Sequence, residues 1–78
     1  MASDSELLEL FREAAYQVDQ RELDGLSLDT RITDLGVDSV ALLEIFGYVE
    51  EELDVYLPQE ELAQVRTLRD LGTLIARE

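Results

Sequence analysis

The stretch "DLGVDSVALLEIFGYVEEELDVYLPQEE", residues 34 to 61, decides the fold because it holds a helix start, a long apolar helix and a proline stop. Asp38 or Ser39 is suited to cap the helix, and Pro58 prevents its continuation because the residue before a proline disfavours helical geometry. We therefore predict a helix that runs to about residue 54. Apolar residues recur along it at helical spacing in a stripe made of Leu42, Ile45, Phe46, Val49 and Leu53, which Val40 and Leu43 are expected to widen.

Three other segments have helical character. Residues 4 to 19 form an amphipathic helix behind a possible capping box of Ser3 and Glu6, residues 59 to 65 suit a short helical turn, and residues 68 to 77 follow a start signal at Thr67 and Asp70. Residues 19 to 38 form a long connection, which we expect to be ordered and to include a turn of helix from Thr33. The predicted fold class is all-α, a four-helix bundle of three main helices and one short helix with a long loop between the first two.

The composition predicts one folded domain, residues 1 to 78, with a very acidic surface. Nineteen acidic residues against six arginines give a formal net charge of −13, and the hydrophobic fraction is 46%. Such a surface repels nucleic acids and anionic membranes and favours encounter with basic protein surfaces. Without histidine or cysteine, the chain lacks the usual ligands of zinc and most transition metals, and it has no calcium-loop motif. No stretch has the length of a membrane span and no signal peptide is visible, so we expect a cytoplasmic protein. We also expect that a domain of this size has no roomy pocket.

Ser39 stands beside a carboxylate but has no base that could activate it as a nucleophile. Histidine and lysine are the usual bases, and the chain contains neither. A solvated Asp38 carboxylate is far too weak a base to deprotonate an alcohol. We therefore predict no catalytic residue, no metal site and no enzymatic activity. Ser39 can instead accept a phosphorylated group, since a helix N-terminus favours phosphate. On local physics alone, however, a plain capping role for Ser39 or Asp38 is favoured, because capping is the commonest use of these residues at a helix start.

The same stretch resembles the acyl carrier protein family. It follows that family's pattern of an LGxDSL-like motif, an acidic helix and a proline-led short helix without a gap, and "DSV" at residues 38 to 40 replaces the more usual DSL. The resemblance extends over the whole chain in its order of helices. It implies that Ser39 receives a 4′-phosphopantetheine arm from coenzyme A through a phosphopantetheinyl transferase that binds magnesium. The arm carries acyl groups on its thiol, so the protein needs no cysteine of its own.

The resemblance also implies roles for the residues around Ser39. Asp38 matches the acidic position that assists transferase recognition or metal binding, and Gly36 would let the chain turn tightly into the helix. Acids at the C-terminal end of a helix oppose its dipole, which favours a partner-facing role for them. The predicted partner-binding residues, on a helix that docks on basic patches of synthases and transferases, are Val40, Glu44, Gly47, Glu50 and Glu51.

Gly47 departs from the family, which often has a larger apolar residue at this mid-helix position. A glycine there costs about 1 kcal/mol of helix propensity. Close approach of a partner, room inside the bundle and neutral drift are the three explanations that the sequence leaves open.

The resulting interpretation is a monomeric acyl carrier for polyketide or fatty acid biosynthesis. Its expected partners are the transferase and ketosynthases, acyltransferases or other enzymes with basic patches, and not nucleic acid or membrane. Two alternatives stay open: a peptidyl or aminoacyl carrier, against which Asp38 argues, and an acidic interaction domain that binds its partners non-covalently.

Overall fold

The computed structural model describes residues 3–77, and these fold into four α-helices and one 3₁₀ helix. The elements are α1 (Asp4–Asp19), the 3₁₀ helix Ile32–Leu35, α2 (Ser39–Leu53), α3 (Gln59–Leu62) and α4 (Leu68–Arg77). The predicted all-α bundle with three main helices, one short helix and a long first connection is confirmed. Residues 1, 2 and 78 of the predicted domain lie outside the described range.

Helix α1 begins where the sequence predicts because Ser3 and Glu6 form a reciprocal capping box. The Ser3 hydroxyl accepts the Glu6 N–H at 3.3 Å, and the Ser3 N–H donates to the Glu6 carboxylate at 3.3 Å. These bonds satisfy two amides that would otherwise lack partners at the helix start. The helix ends at Asp19, and the next residue, Gln20, closes the last turn with a left-handed backbone (φ 52°). Its inner face packs mainly against α2.

The core is apolar and continuous across all the helices. Among the described residues, no polar or charged side chain is buried in it. Its fully buried side chains with the largest volumes are Phe11, Val49, Ile45, Leu68 and Leu71. Helix α4 supplies Leu68, Leu71 and Leu74, which match the predicted helical spacing of residues 68 to 77. No helix within residues 3–77 is both long and apolar enough to cross a membrane.

The long connection between α1 and α2 is ordered because it is bonded to the junction before α4. The Ile32 N–H donates to the Arg66 carbonyl at 2.9 Å, and the Arg69 N–H donates to the Leu28 carbonyl at 2.8 Å. Arg31 and Thr67 form an isolated antiparallel bridge between these bonds. The predicted helical turn is the 3₁₀ helix, which starts one residue before Thr33.

The start of α4 is held by Asp70, as the sequence predicts. Its carboxylate accepts the N–H groups of Arg66 (3.1 Å) and Thr67 (3.2 Å), and the Asp70 N–H donates to the Thr67 hydroxyl at 3.2 Å. The bonds from Arg66 and then Thr67 hold the pKa of Asp70 below its usual value. The bridge between Thr67 and Arg31 adjoins this cap. The connection between α1 and α2, which leads toward Ser39, is therefore anchored at the capped start of α4.

Candidate modification site at Ser39

Helix α2 begins at Ser39, and Asp38 is its cap. The Asp38 carboxylate accepts the Ala41 N–H at 2.8 Å, which resolves the choice that the sequence leaves between Asp38 and Ser39. Ser39 is exposed as the first residue of a 15-residue helix. The cap bond is therefore made by Asp38 and does not involve the Ser39 hydroxyl.

The segment before Ser39 is fixed by a turn and by packing. The 3₁₀ helix ends at Leu35 and is followed by Gly36, whose φ of 70° and ψ of 20° lie in the left-handed region that glycine adopts without strain. The predicted tight turn is therefore confirmed. Leu35 and Val37, on either side of Gly36, pack against the core, and Ala41 is buried just after the serine. The position of Ser39 is thus held from both directions.

The side of α2 that points away from the core is called here the outward face, and it consists of Val40, Leu43, Glu44, Gly47 and Glu51. Val40 is 66% exposed and Leu43 is 49% exposed, so the prediction that they widen the core stripe is wrong. The reason is angular: Val40 and Val49 are nine residues apart, and at about 100° per residue this places them on opposite sides of the helix. The outward face therefore carries two exposed apolar side chains close to Ser39.

The acids predicted to face partners have unequal surroundings. The Glu50 carboxylate accepts the N–H of Leu57 at 2.8 Å, in a partly buried bond that ties α2 to the segment before α3. Glu44 and Glu51 are exposed. The ion pairs found within residues 3–77 involve other carboxylates, namely Glu9, Asp19, Asp29 and Glu61. Glu50 thus has a partner inside the protein, whereas Glu44 and Glu51 form no ion pair in the described part of the chain.

A contact that the sequence analysis missed joins α2 to α1 beside the outward face. The Tyr48 hydroxyl donates to the Glu13 carboxylate at 2.8 Å. This bond raises the pKa of Tyr48 above its usual value, and desolvation and the nearby charges of Glu13 and Glu52 act in the same direction. The two residues are 35 positions apart, so no local pattern could have revealed the pair.

The site residues predicted from the sequence lie at the start of α2 and along one side of it. Asp38, Ser39 and Val40 are consecutive at the helix start, and Glu44, Gly47 and Glu51 follow along the same side of α2. No group of three or more potential metal ligands among His, Cys, Asp and Glu occurs within residues 3–77. The fold and the site therefore define a small helical protein with an exposed serine at the start of its second long helix.

Comparison with known proteins shows which family the chain belongs to. The family model described as "Phosphopantetheine attachment site" matches residues 5–75. The chain is 48% identical over 73 residues to the tetracenomycin polyketide synthase acyl carrier protein of Streptomyces glaucescens, covering 92% of this chain and 88% of that protein. It is 38% identical over 63 residues to the actinorhodin polyketide synthase acyl carrier protein of Streptomyces coelicolor, covering 81% and 73%.

A solved structure supports the fold independently. The crystal structure of an acyl carrier protein from Thermotoga maritima superposes with a TM-score of 0.82 at 23% identity, covering 94% of this chain and 87% of that one. The chain belongs to the acyl carrier protein family. It is therefore a carrier and not an enzyme, and its cofactor is a covalently attached 4′-phosphopantetheine.

Proposed function

We propose that this protein is the acyl carrier of a polyketide synthase and that Ser39 holds its phosphopantetheine arm. The observation that carries the proposal is the exposed Ser39 at the start of α2, left available because Asp38 caps the helix. The names of the two Streptomyces relatives support the polyketide assignment over a fatty acid one. When bound, the arm supplies a thiol that holds acyl groups as thioesters.

The residues around Ser39 fit a phosphodiester. The Ser39 oxygen would form the ester bond, and the first turn of α2 offers free N–H groups and the positive end of the helix dipole to the phosphate. Asp38 acts from its cap position, where its carboxylate orients the start of the helix. We further assign Asp38 a role in recognition by a transferase that uses coenzyme A and magnesium.

The outward face of α2 is our proposed docking surface for that transferase and for ketosynthases, acyltransferases or related enzymes. Its exposed Val40 supplies apolar contact beside Ser39, and Glu44 and Glu51 supply negative charge for basic patches. Glu50 belongs to the predicted set, but its bond to Leu57 makes Glu51 the better test of docking. Association through such charges is fast and weakens with added salt.

A single carrier domain over residues 1 to 78, a monomeric state and a cytoplasmic location stay predictions. A peptidyl or aminoacyl carrier is the second candidate within the class. The polyketide acyl carrier names of the relatives favour acyl cargo instead.

The test is an intact mass after incubation with coenzyme A, magnesium and a broad-specificity phosphopantetheinyl transferase. We expect a gain of one arm on the wild type and none on Ser39→Ala. The matched control is Ser27→Ala, which removes another exposed serine and should still gain the arm. A wild type that gains nothing overturns the assignment and favours a non-covalent interaction domain. A Ser39→Ala protein that still gains one arm overturns the assignment of the arm to Ser39.

Two substitutions separate the roles of Asp38. Asparagine is as good a helix cap as aspartate, so Asp38→Asn keeps the start of α2 and removes the charge. Asp38→Ala removes both the helix cap and the charge. A role in transferase or magnesium recognition predicts that Asp38→Asn is modified about as slowly as Asp38→Ala while its thermal stability stays near that of the wild type. If Asp38→Asn is modified as fast as the wild type, Asp38 acts only as a helix cap and has no role in recognition.

A further inference from the structure

Gly47 has no structural reason to be glycine within the described chain. It lies in the interior of α2, and the glycines with positive φ are Gly25 and Gly36, so its backbone does not need the left-handed region. A Cβ built at Gly47 would meet no atom of residues 3–77 within 4 Å, its chain neighbours and local helix backbone aside. A glycine in a helix interior destabilises it by about 1 kcal/mol relative to alanine. Nothing in the described part of the molecule offsets that loss.

The space above Gly47 is bounded by side chains of the outward face. Leu43 and Glu44 precede it by four and three residues, and Glu51 follows it by four, so all three lie on the same side of the helix. Leu43 is 49% exposed, and both acids are exposed. The result is a gap in the row of side chains, about one turn long, which we call the Gly47 notch.

We propose that the Gly47 notch receives an apolar side chain that projects from the partner synthase, with arginine or lysine on either side of it. This inference rests on the proposed function and specifies the partner surface. The floor of the notch is helix backbone whose amides are already bonded, so a polar side chain would lose water there without gaining a partner. Leu43 at its edge offers apolar contact, and the carboxylates of Glu44 and Glu51 complement the basic residues.

The notch also acts as a selector among partners. An enzyme without the projecting side chain leaves the space unfilled and loses its dispersion contacts. A carrier with a bulky residue at position 47 would collide with an enzyme that has the projection, and this repulsion adds specificity to the general attraction of the charges. The notch would therefore separate enzymes that the acidic surface alone does not distinguish.

The experiment measures the holo protein as a substrate of the purified tetracenomycin polyketide synthase, with Gly47→Ala and Gly47→Leu beside the wild type. We expect KM for the carrier to rise severalfold with alanine and at least tenfold with leucine, while kcat at saturating carrier changes less than twofold. The folding stability of both variants should equal or exceed that of the wild type, because each replaces a glycine by a better helix former in open space. A loss of docking then cannot be attributed to unfolding.

The matched control is Gln17→Leu, which places a leucine at an exposed position of α1 and leaves α2 unchanged. Its KM should equal that of the wild type. If Gly47→Leu takes the arm and shows the wild-type KM, or if Gln17→Leu raises KM equally, the notch is overturned and the carrier function stands. If the wild type takes no arm on Ser39, the proposed function fails first, and the mass measurement shows this before any kinetics.

Discussion

Two glycines in the interiors of α2 and α4 have opposite surroundings. A Cβ built at Gly72 would lie 3.0 Å from the Leu7 side chain, whereas one built at Gly47 would meet open space. Gly72 therefore lets α4 approach α1 closely, and its cost in helix propensity is offset by packing. Gly47 has the same cost in helix propensity, but no packing contact within residues 3–77 offsets it. The same residue type thus serves the interior in α4 and, as we infer, a partner in α2.

The difference extends to the leucines beside the two glycines. Leu71 is fully buried and precedes Gly72, while Leu43 is half exposed, one turn before Gly47. Packing alone explains the apolar residues of α4. It does not explain why a leucine and a valine near Ser39 are exposed. We therefore infer that these apolar side chains of the outward face serve contact with a partner.

The largest expected effect tests whether the two leucines differ as described. Leu71→Ala leaves a cavity in a closed core and should lower the free energy of unfolding by about 2–5 kcal/mol. Leu43→Ala should lower it by less than about 1 kcal/mol, since much of its area is already in water. Urea unfolding followed by circular dichroism measures both. Equal losses would mean that Leu43 belongs to the core.

A smaller difference in stability is expected between substitutions of Glu50 and Glu51, which are adjacent in α2. Glu50→Ala removes the acceptor of the Leu57 N–H and should lower the free energy of unfolding by about 1 kcal/mol, because the bond is only partly shielded from water. Glu51→Ala should change it by less than about 0.5 kcal/mol. Docking should show the reverse pattern, with Glu51→Ala raising the synthase KM and flattening its salt dependence. A stability loss for Glu51→Ala as large as that for Glu50→Ala would contradict the distinction.

Substituting alanine at Gly47 and at Gly72 should affect the free energy of unfolding differently. Gly47→Ala should raise the free energy of unfolding by about 1 kcal/mol, the full gain in helix propensity. Gly72→Ala makes the same exchange, but its new methyl group must displace Leu7, which is itself buried. We expect its stability to be unchanged or lower. Paired urea titrations decide the point, and a Gly72→Ala gain that matched the Gly47→Ala gain would remove the packing explanation.

The helix boundaries could be predicted from the sequence because helical signals are local. Ser3 with Glu6, Thr67 with Asp70 and the cap at Asp38 each act within three or four residues, and the structure has the expected bonds at all three. The location of Ser39 at a helix start followed from these signals alone. The phosphopantetheine arm that we propose for this serine did not follow from them, and came from the family resemblance.

The missed features join residues that no helical period relates. The Arg31 and Thr67 bridge, the Glu50 bond to Leu57 and the Tyr48 bond to Glu13 all depend on how the elements pack. The error over Val40 and Leu43 is different in kind, because their exposure could be read from the helical angle. The prediction that they widen the core stripe rested on their apolar character alone. Their angular positions around α2 instead place them on the outward face with the acids.

The smallest expected effect concerns Tyr48, which adjoins Gly47 but is turned toward α1. Its hydroxyl donates to Glu13, and this bond raises its pKa above the usual value of 10.0. A tyrosine pKa that is higher in the folded state contributes stability below pH 10, and that contribution is lost as the pH rises through the folded pKa. Glu13→Gln should bring the Tyr48 pKa back toward 10, as measured by NMR of its ring carbons against pH.

Two control variants tie this titration to the comparison of the glycines. Glu9→Gln changes another exposed acid of α1, one that pairs with Arg12, and should leave the Tyr48 pKa where it is. Gly47→Leu should also leave it unchanged, because the added side chain projects from the outward face while the tyrosine bonds to α1. If Gly47→Leu moved the Tyr48 pKa as far as Glu13→Gln, the notch would be coupled to the α1–α2 interface. A higher synthase KM could then reflect a disturbed bundle, and only a Gly47→Leu effect with an unmoved Tyr48 isolates contact with the partner.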